Sequence, residues 1–100
     1  MSRSDWASER RQDYIDWRLS ARGTLCREDI ISVFGISPAQ ASLDINRFIA
    51  LYPGAMDYDK SAKRYVPARS PYRAKRGMDD PNVRRAITLL ANAGSPMGWT

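Results

Sequence analysis

The sequence predicts a mainly α-helical fold with one small β-hairpin, and three observations carry that prediction. Two short helical segments are separated by Gly35-Ile36-Ser37, an alternating polar and apolar stretch follows Pro53-Gly54, and a last helical stripe stands between Pro81 and Gly94. One hundred residues leave room for a single domain with a modest core.

The first helix is expected from about Asp5 to Ala21, with Ser4 as its cap, Asp5 in the first turn and Gly23 just past its end. Tyr14, Ile15, Arg18, Leu19 and Arg22 fall at helical spacing with Trp17 alongside, which puts Ile15, Leu19 and one of the aromatics on the core side. A second helix fits Arg27–Phe34, its apolar side supplied by Ile30, Ile31, Val33 and Phe34. Cys26 stands where Ser, Thr or Asn would cap it, and Asp29 at the third helical position can complete a reciprocal cap. Gly35 ends it, because the turn there needs a residue free to adopt positive φ. Ser37, Pro38 and Gln40 then open a third helix as cap, first position and S-x-x-Q box, and that helix runs to about Leu51. Two helices joined by a three-residue turn have the spacing of a helix-turn-helix.

On the third helix Ala41, Ile45, Phe48 and Ile49 form one stripe and are expected to be buried. Ala39, Gln40, Ser42, Leu43, Asn46 and Arg47 point elsewhere. A face of small and amide side chains with one arginine can enter a major groove and bond base edges; a plain solvated face is the alternative. Met56-Asp57-Tyr58 and Arg64-Tyr65-Val66 alternate as strands of a hairpin, which after such a helix is a wing. Lys60, Ser61, Lys63 and Arg64 of the wing, with Arg27 and Ser37 at helix ends, are the expected phosphate contacts. Tyr58 and Tyr65 are expected to pack the hairpin onto the helices. Residues 1–67 therefore read as a winged helix-turn-helix domain, followed by a basic, extended linker over 68–79. A helix over 80–94 follows, with Asp80 as cap and Pro81 at its first position, and then a loosely ordered tail over 95–100 that includes Trp99. The stripe Val83, Ala86, Ile87 and Leu90 is assigned to homodimerisation, with packing onto the chain's own domain as the alternative.

Charge and composition narrow the function. Residues 1–59 carry seven Arg and nine acids, whereas residues 60–100 carry nine basic residues and two acids. Thirteen of the sixteen cations are Arg, the side chain suited to bidentate phosphate and guanine contacts, so a polyanion is the natural partner. No run approaches 18 apolar residues, and the Met-Ser-Arg-Ser-Asp start has no apolar segment behind it, so neither a membrane span nor a signal peptide is expected. A lone Cys and the lack of His leave no internal disulfide, no cysteine/histidine zinc site and no Ser–His or Cys–His nucleophile. Asp57 and Asp59 are close, but a hairpin rim offers no pocket. No catalytic residue, cofactor or metal is therefore expected, and the chain reads as a cytoplasmic binding protein. Cys26 admits two readings: a thiol activated by the helix N-terminus that senses oxidation, or a small residue filling a cap position.

These residues also carry a resemblance. Tyr14-Ile15-Asp16-Trp17-Arg18-Leu19, Gly23-Thr24-Leu25-Cys26-Arg27-Glu28-Asp29-Ile30, Phe34-Gly35-Ile36-Ser37, Gln40-Ala41-Ser42 and Asp44-Ile45 resemble the N-terminal winged-helix domain of WYL-domain transcriptional repressors. The closest likeness is to members guarding bacterial phage-defence operons. The hairpin Tyr58–Tyr65 resembles their wing, and the likeness is collinear over about residues 10–67. It implies a homodimer that represses from pseudo-palindromic operators. That family continues into a ligand-sensing domain, whereas this chain ends at Thr100, as a stand-alone relative or a piece of a longer protein would. The leading expectation is a sequence-specific double-stranded DNA-binding repressor associated with the nucleoid. A winged-helix protein adaptor is the alternative. RNA or single-stranded binding is disfavoured because the aromatics, Tyr72 apart, fall at core positions.

Overall fold

In a computed structural model, which describes residues 3–76, 85 and 87–89, the elements follow in the expected order. They are α1 (Arg3–Ala21), α2 (Arg27–Phe34), α3 (Pro38–Leu51), β1 (Met56–Asp59) and β2 (Arg64–Pro67). Helix α1 begins two residues before its expected start, so Ser4 lies inside the first turn rather than capping it. Helix α2 starts where expected, and the Asp29 carboxylate accepts the Cys26 backbone N–H at 2.7 Å. Gly35 closes it at φ +65°, with its N–H donating to the Ile31 carbonyl, the left-handed cap for which glycine is suited. Ser37 Oγ accepts the Gln40 N–H at 3.1 Å to start α3, with Pro38 in the first helical position. The reciprocal half of that box is not made. The Gln40 amide instead donates down the helix to Asp44 Oδ1 at 3.1 Å, because a buried carboxylate must be supplied with donors.

The hairpin is antiparallel, pairing Met56 with Pro67, Tyr58 with Tyr65 and Asp59 with Arg64. Its tip is closed by Asp59: Oδ1 accepts the N–H groups of Ser61 and Ala62, and the carbonyl accepts the N–H of Lys63, which takes φ +58°. Leu25 adds one rung beside β2, exchanging both backbone hydrogen bonds with Tyr65 at 2.8 and 2.9 Å. That rung ties the wing to the connection between α1 and α2. A single paired residue leaves no period-2 pattern, so sequence reading does not reveal it.

The core is built from Tyr14, Ile15, Trp17 and Leu19 of α1, Leu25, Ile30 of α2, Ala41, Ile45 and Phe48 of α3, and Ala55 and Met56 at the hairpin's base. Tyr14 and Trp17 are both buried, one more than expected, while Trp6 nearer the start of α1 is exposed; Tyr14 meets Phe34 edge to face at 5.6 Å and stacks on Trp17 at 5.9 Å. Ile49, expected inside, is 42% exposed. The buried stripe of α3 is Ala41, Asp44, Ile45 and Phe48, and Asp44 takes the flank because α1 supplies it with donors. Arg11 Nε reaches Asp44 Oδ2 at 2.6 Å, and Gln12 Nε2 reaches the Asp44 carbonyl at 2.8 Å.

The region expected to be an extended linker is instead bound to α1 as far as it is described. Its first residue, Ala68, donates its N–H to the Ala55 carbonyl. Asp16, 0% exposed, accepts the Tyr72 hydroxyl at 2.6 Å and the backbone N–H groups of Lys75 and Arg76 at 2.8 Å each. The Arg76 guanidinium reaches Asp13 Oδ1 and the Tyr52 hydroxyl at 2.8 Å each, and it pairs with Glu9. Glu9, Asp13 and Asp16 are spaced i, i+4, i+7, so one edge of α1 presents three carboxylates to this strap, residues 68–76. Ile87 is helical and buried in the same core, whereas dimerisation was its expected role. Val83, Ala86 and Leu90, the cap residues Asp80, Pro81 and Gly94, and the tail over 95–100 with Trp99 lie outside the described residues.

Candidate nucleic-acid interface

Burying Ala41, Asp44, Ile45 and Phe48 fixes which way α3 faces. Ala39, Leu43, Asn46 and Ala50 recur at +4, +7 and +11, so they form one outer stripe, and all four are exposed. Sequence reading omitted Ala50, although the same spacing reaches it. Flanking residues lean to either side. Ser42 lies toward α2, where its Oγ accepts a hydrogen bond from Arg27 Nη1 at 3.1 Å. Gln40 and Arg47 lie toward α1. The Gln40 amide is engaged by Asp44, and Arg47 donates to Ser8 Oγ and to Glu9 Oε1, the latter at 2.7 Å. Of the six side chains expected to read bases, then, Ala39, Leu43, Asn46 and Ser42 share an open surface, and Gln40 and Arg47 are held along its α1 edge.

A cleft of about 480 Å³ separates that surface from the wing. Arg27 and Glu28 at the start of α2 form one end, Ser42 and Asn46 of α3 one wall, and Tyr58, Lys63 and Arg64 of the hairpin the other. Lys60, Ser61, Lys63 and Arg64 are exposed, and so are Arg27 and Ser37. None of the four cations among them is in a salt bridge among the described residues. By contrast Arg10, Arg11, Arg18, Arg47 and Arg76 are each held against a carboxylate. The structure therefore sorts these cations into structural ones around α1 and exposed, unpaired ones around the cleft. Tyr58, expected to pack inward, is 50% exposed and lies edge-on to Tyr65 at 4.9 Å, so its ring borders the cleft. Tyr65, the inner partner, is half-buried as expected.

The Cys26 thiol and the Glu28 carboxylate also line this cleft. Burial, and then the charges of Asp29 and Glu28, push the Cys26 thiol above its ordinary value, opposite to the activated thiol that a helix N-terminus suggests. Hydrogen bonds from Arg47 and Arg76 hold the Glu9 carboxyl below its ordinary value despite partial burial. Asp59 is committed to the turn at the wing's tip. Apart from Glu28 at one end, the cleft thus offers cations, a hydroxyl and an amide beside a small-residue helix face, a set that binds phosphate and base edges. Among the described residues no helix is long and apolar enough to cross a membrane.

Comparison with known proteins adds the family. The model of the BrxR transcriptional regulator winged helix-turn-helix domain matches residues 7–74. The DNA-binding transcriptional repressor CapW of Pseudomonas aeruginosa is 35% identical over 99 residues, covering 94% of this chain and 33% of that protein. The CapW repressor of Escherichia coli (strain KTE188) is 42% identical over 60 residues, 60% of this chain and 20% of the relative. A CapW repressor of Stenotrophomonas maltophilia is 34% identical over 65 residues, 65% and 22% respectively. The chain spans a third or less of the length of these relatives.

Proposed function

This chain belongs to the BrxR family of transcriptional-regulator winged helix-turn-helix domains, and from that premise we propose that it is a sequence-specific double-stranded DNA-binding repressor. The observation that carries the reading is the pairing of α3's open stripe with unpaired cations across one cleft. In this reading Ala39, Ser42, Leu43 and Asn46 enter the major groove, with Asn46 bonding a base edge and Leu43 packing on a thymine methyl. Lys60, Lys63 and Arg64, aided by Arg27, Ser37 and Ser61, hold phosphates and set the register. Gln40 and Arg47 act from the α1 edge, where each must exchange a carboxylate partner for DNA.

The functional unit is a homodimer on a pseudo-palindromic operator, with half-sites about 34–36 Å apart or a multiple of that. Because Ile87 serves the protomer's own core, the last helix contributes its other side, on which Leu89 is exposed. Such a protein works in the cytoplasm, on the nucleoid.

Selection of bound sequences from random duplex DNA tests all of this together. The expected outcome is an inverted repeat bound two protomers at a time, from which Asn46→Ala removes about 1–3 kcal/mol and one base preference. Binding no tighter to any selected sequence than to random duplex at physiological salt would overturn the reading in favour of a protein adaptor.

A further inference from the structure

A second concave surface lies at the opposite end of the hairpin from the wing tip. It encloses about 300 Å³ between the Pro53–Ala55 turn after α3 and the strap, and Arg69, Arg73 and Lys75 border it. These three cations are exposed, and among the described residues none is in a salt bridge. They differ in this from Arg76, next in the chain, which the acids of α1 neutralise. Tyr72 gives the cleft a rigid wall: its hydroxyl is fixed on buried Asp16, and Lys75 Nζ lies 5.8 Å from its ring centre. Gly54, at φ +78°, faces open space where its side chain would be, so nothing obstructs a close approach on that side. Three free cations around an open hollow, backed by a held aromatic ring, fit a phosphate group better than an apolar or cationic ligand.

We propose that this cleft is a second phosphate-binding site and that it takes the DNA backbone beyond the phosphates gripped by the wing. The inference rests on the DNA-binding reading above. Arg69 follows the last residue of β2, Pro67, by two positions, so the strap's cations continue from the base of the hairpin whose tip carries Lys60 and Lys63. Two triads of cations, Lys60/Lys63/Arg64 at the tip of the hairpin and Arg69/Arg73/Lys75 at its base, then meet the duplex backbone at separate points. The base-reading stripe of α3 identifies the half-site, and the second triad lengthens the footprint without adding sequence information.

The test compares the full chain with R69A/R73A/K75A and, separately, K60A/K63A/R64A, on a selected duplex over a salt series. Far-ultraviolet circular dichroism checks that each variant is folded; all six side chains are exposed and Asp16 keeps its donors. The slope of log K against log salt is expected to flatten by about 2–3 in R69A/R73A/K75A, with base preferences unchanged. Phosphate-ethylation interference is expected to lose the positions farthest from the wing in that variant alone. An unchanged slope and footprint alongside intact wild-type binding overturns the proposal. Titration with inorganic phosphate, followed at the Gly54 and Lys75 amide resonances, separates the two sources of phosphate. Shifts there with an unchanged salt slope assign the cleft to a soluble anion and overturn the backbone assignment. Wild-type protein that binds no duplex defeats the repressor reading first, and the backbone assignment falls with it.

Discussion

Replacing Asp16 with alanine should undock the strap. The carboxylate is wholly buried and serves three donors, the Tyr72 hydroxyl and the backbone N–H groups of Lys75 and Arg76. A hydrogen bond to a charged group contributes about 1.5–3 kcal/mol, and donors stranded away from water are penalised further. Water can reach the strap once it lifts, so the three losses do not add in full, and about 3–4 kcal/mol is expected. A domain of this size is stable by about 5–15 kcal/mol, and each kcal/mol is worth about 4–8 °C in melting temperature. Urea denaturation followed by circular dichroism measures the loss directly, and its m-value should also fall if the strap has left the surface. Tyr72→Phe removes one donor and should lose about 1 kcal/mol. In the double variant most of that loss should disappear, because the hydroxyl has no acceptor left to serve. The reasoning fails if Asp16→Ala loses less than about 1 kcal/mol, or if the two substitutions are simply additive.

Gln12 is fully buried and its Oε1 has no hydrogen-bond partner among the described residues, so Gln12→Met should stay within about 1 kcal/mol of wild type in urea. Gln12→Glu places a charge beside Asp44 and should destabilise by about 2 kcal/mol or more. The Glu9 carboxyl is depressed when folded, so its contribution is fully present above about pH 5 and is lost as the pH falls through the lower folded value. The stability difference between wild type and Glu9→Gln should therefore shrink between pH 6 and pH 3, roughly the span of carboxylate titration; a constant difference would contradict the pairing. Lys63 holds φ +58° at the wing tip, a conformation asparagine tolerates better than most residues. Lys63→Asn should leave the melting temperature within about 2 °C of wild type or above it, while flattening the salt slope of duplex binding by about one.

Where the chain announces its own geometry locally, sequence was enough. Ser37-Pro38 and Gly35 set the bounds of α2 and α3 because caps and left-handed turns are decisions made within four residues. Alternation around the wing loop likewise gave both strands. Polar residues inside the core were not legible, since periodicity treats Gln12, Asp16 and Asp44 as outward-facing. Apart from Gln40 beside Asp44 on the same helix, their partners lie 32 to 60 residues away, and only the fold brings them together. The strap misled for the same reason: its prolines and cations read as a linker until the acids of α1 are seen opposite them. The likeness to repressor winged helices was correct at the level of the family, whereas the tilt of Gln40 and Arg47 toward α1 depends on donors and acceptors that another helix supplies.

The sorting of the arginines has a consequence for encounter before contact. Five guanidiniums around α1 are neutralised against carboxylates, while Lys60, Lys63 and Arg64 of the wing and Arg69, Arg73 and Lys75 of the strap are exposed and, among the described residues, in no salt bridge. The described part of the chain is therefore a dipole as well as a net cation. A polyanion met at a distance turns it hairpin-first, so orientation is partly settled within the Debye length, about 8 Å at physiological salt. Raising the salt should slow association through lost alignment as well as lost attraction. Moving the same net charge to the α1 side would keep the attraction and forfeit the alignment.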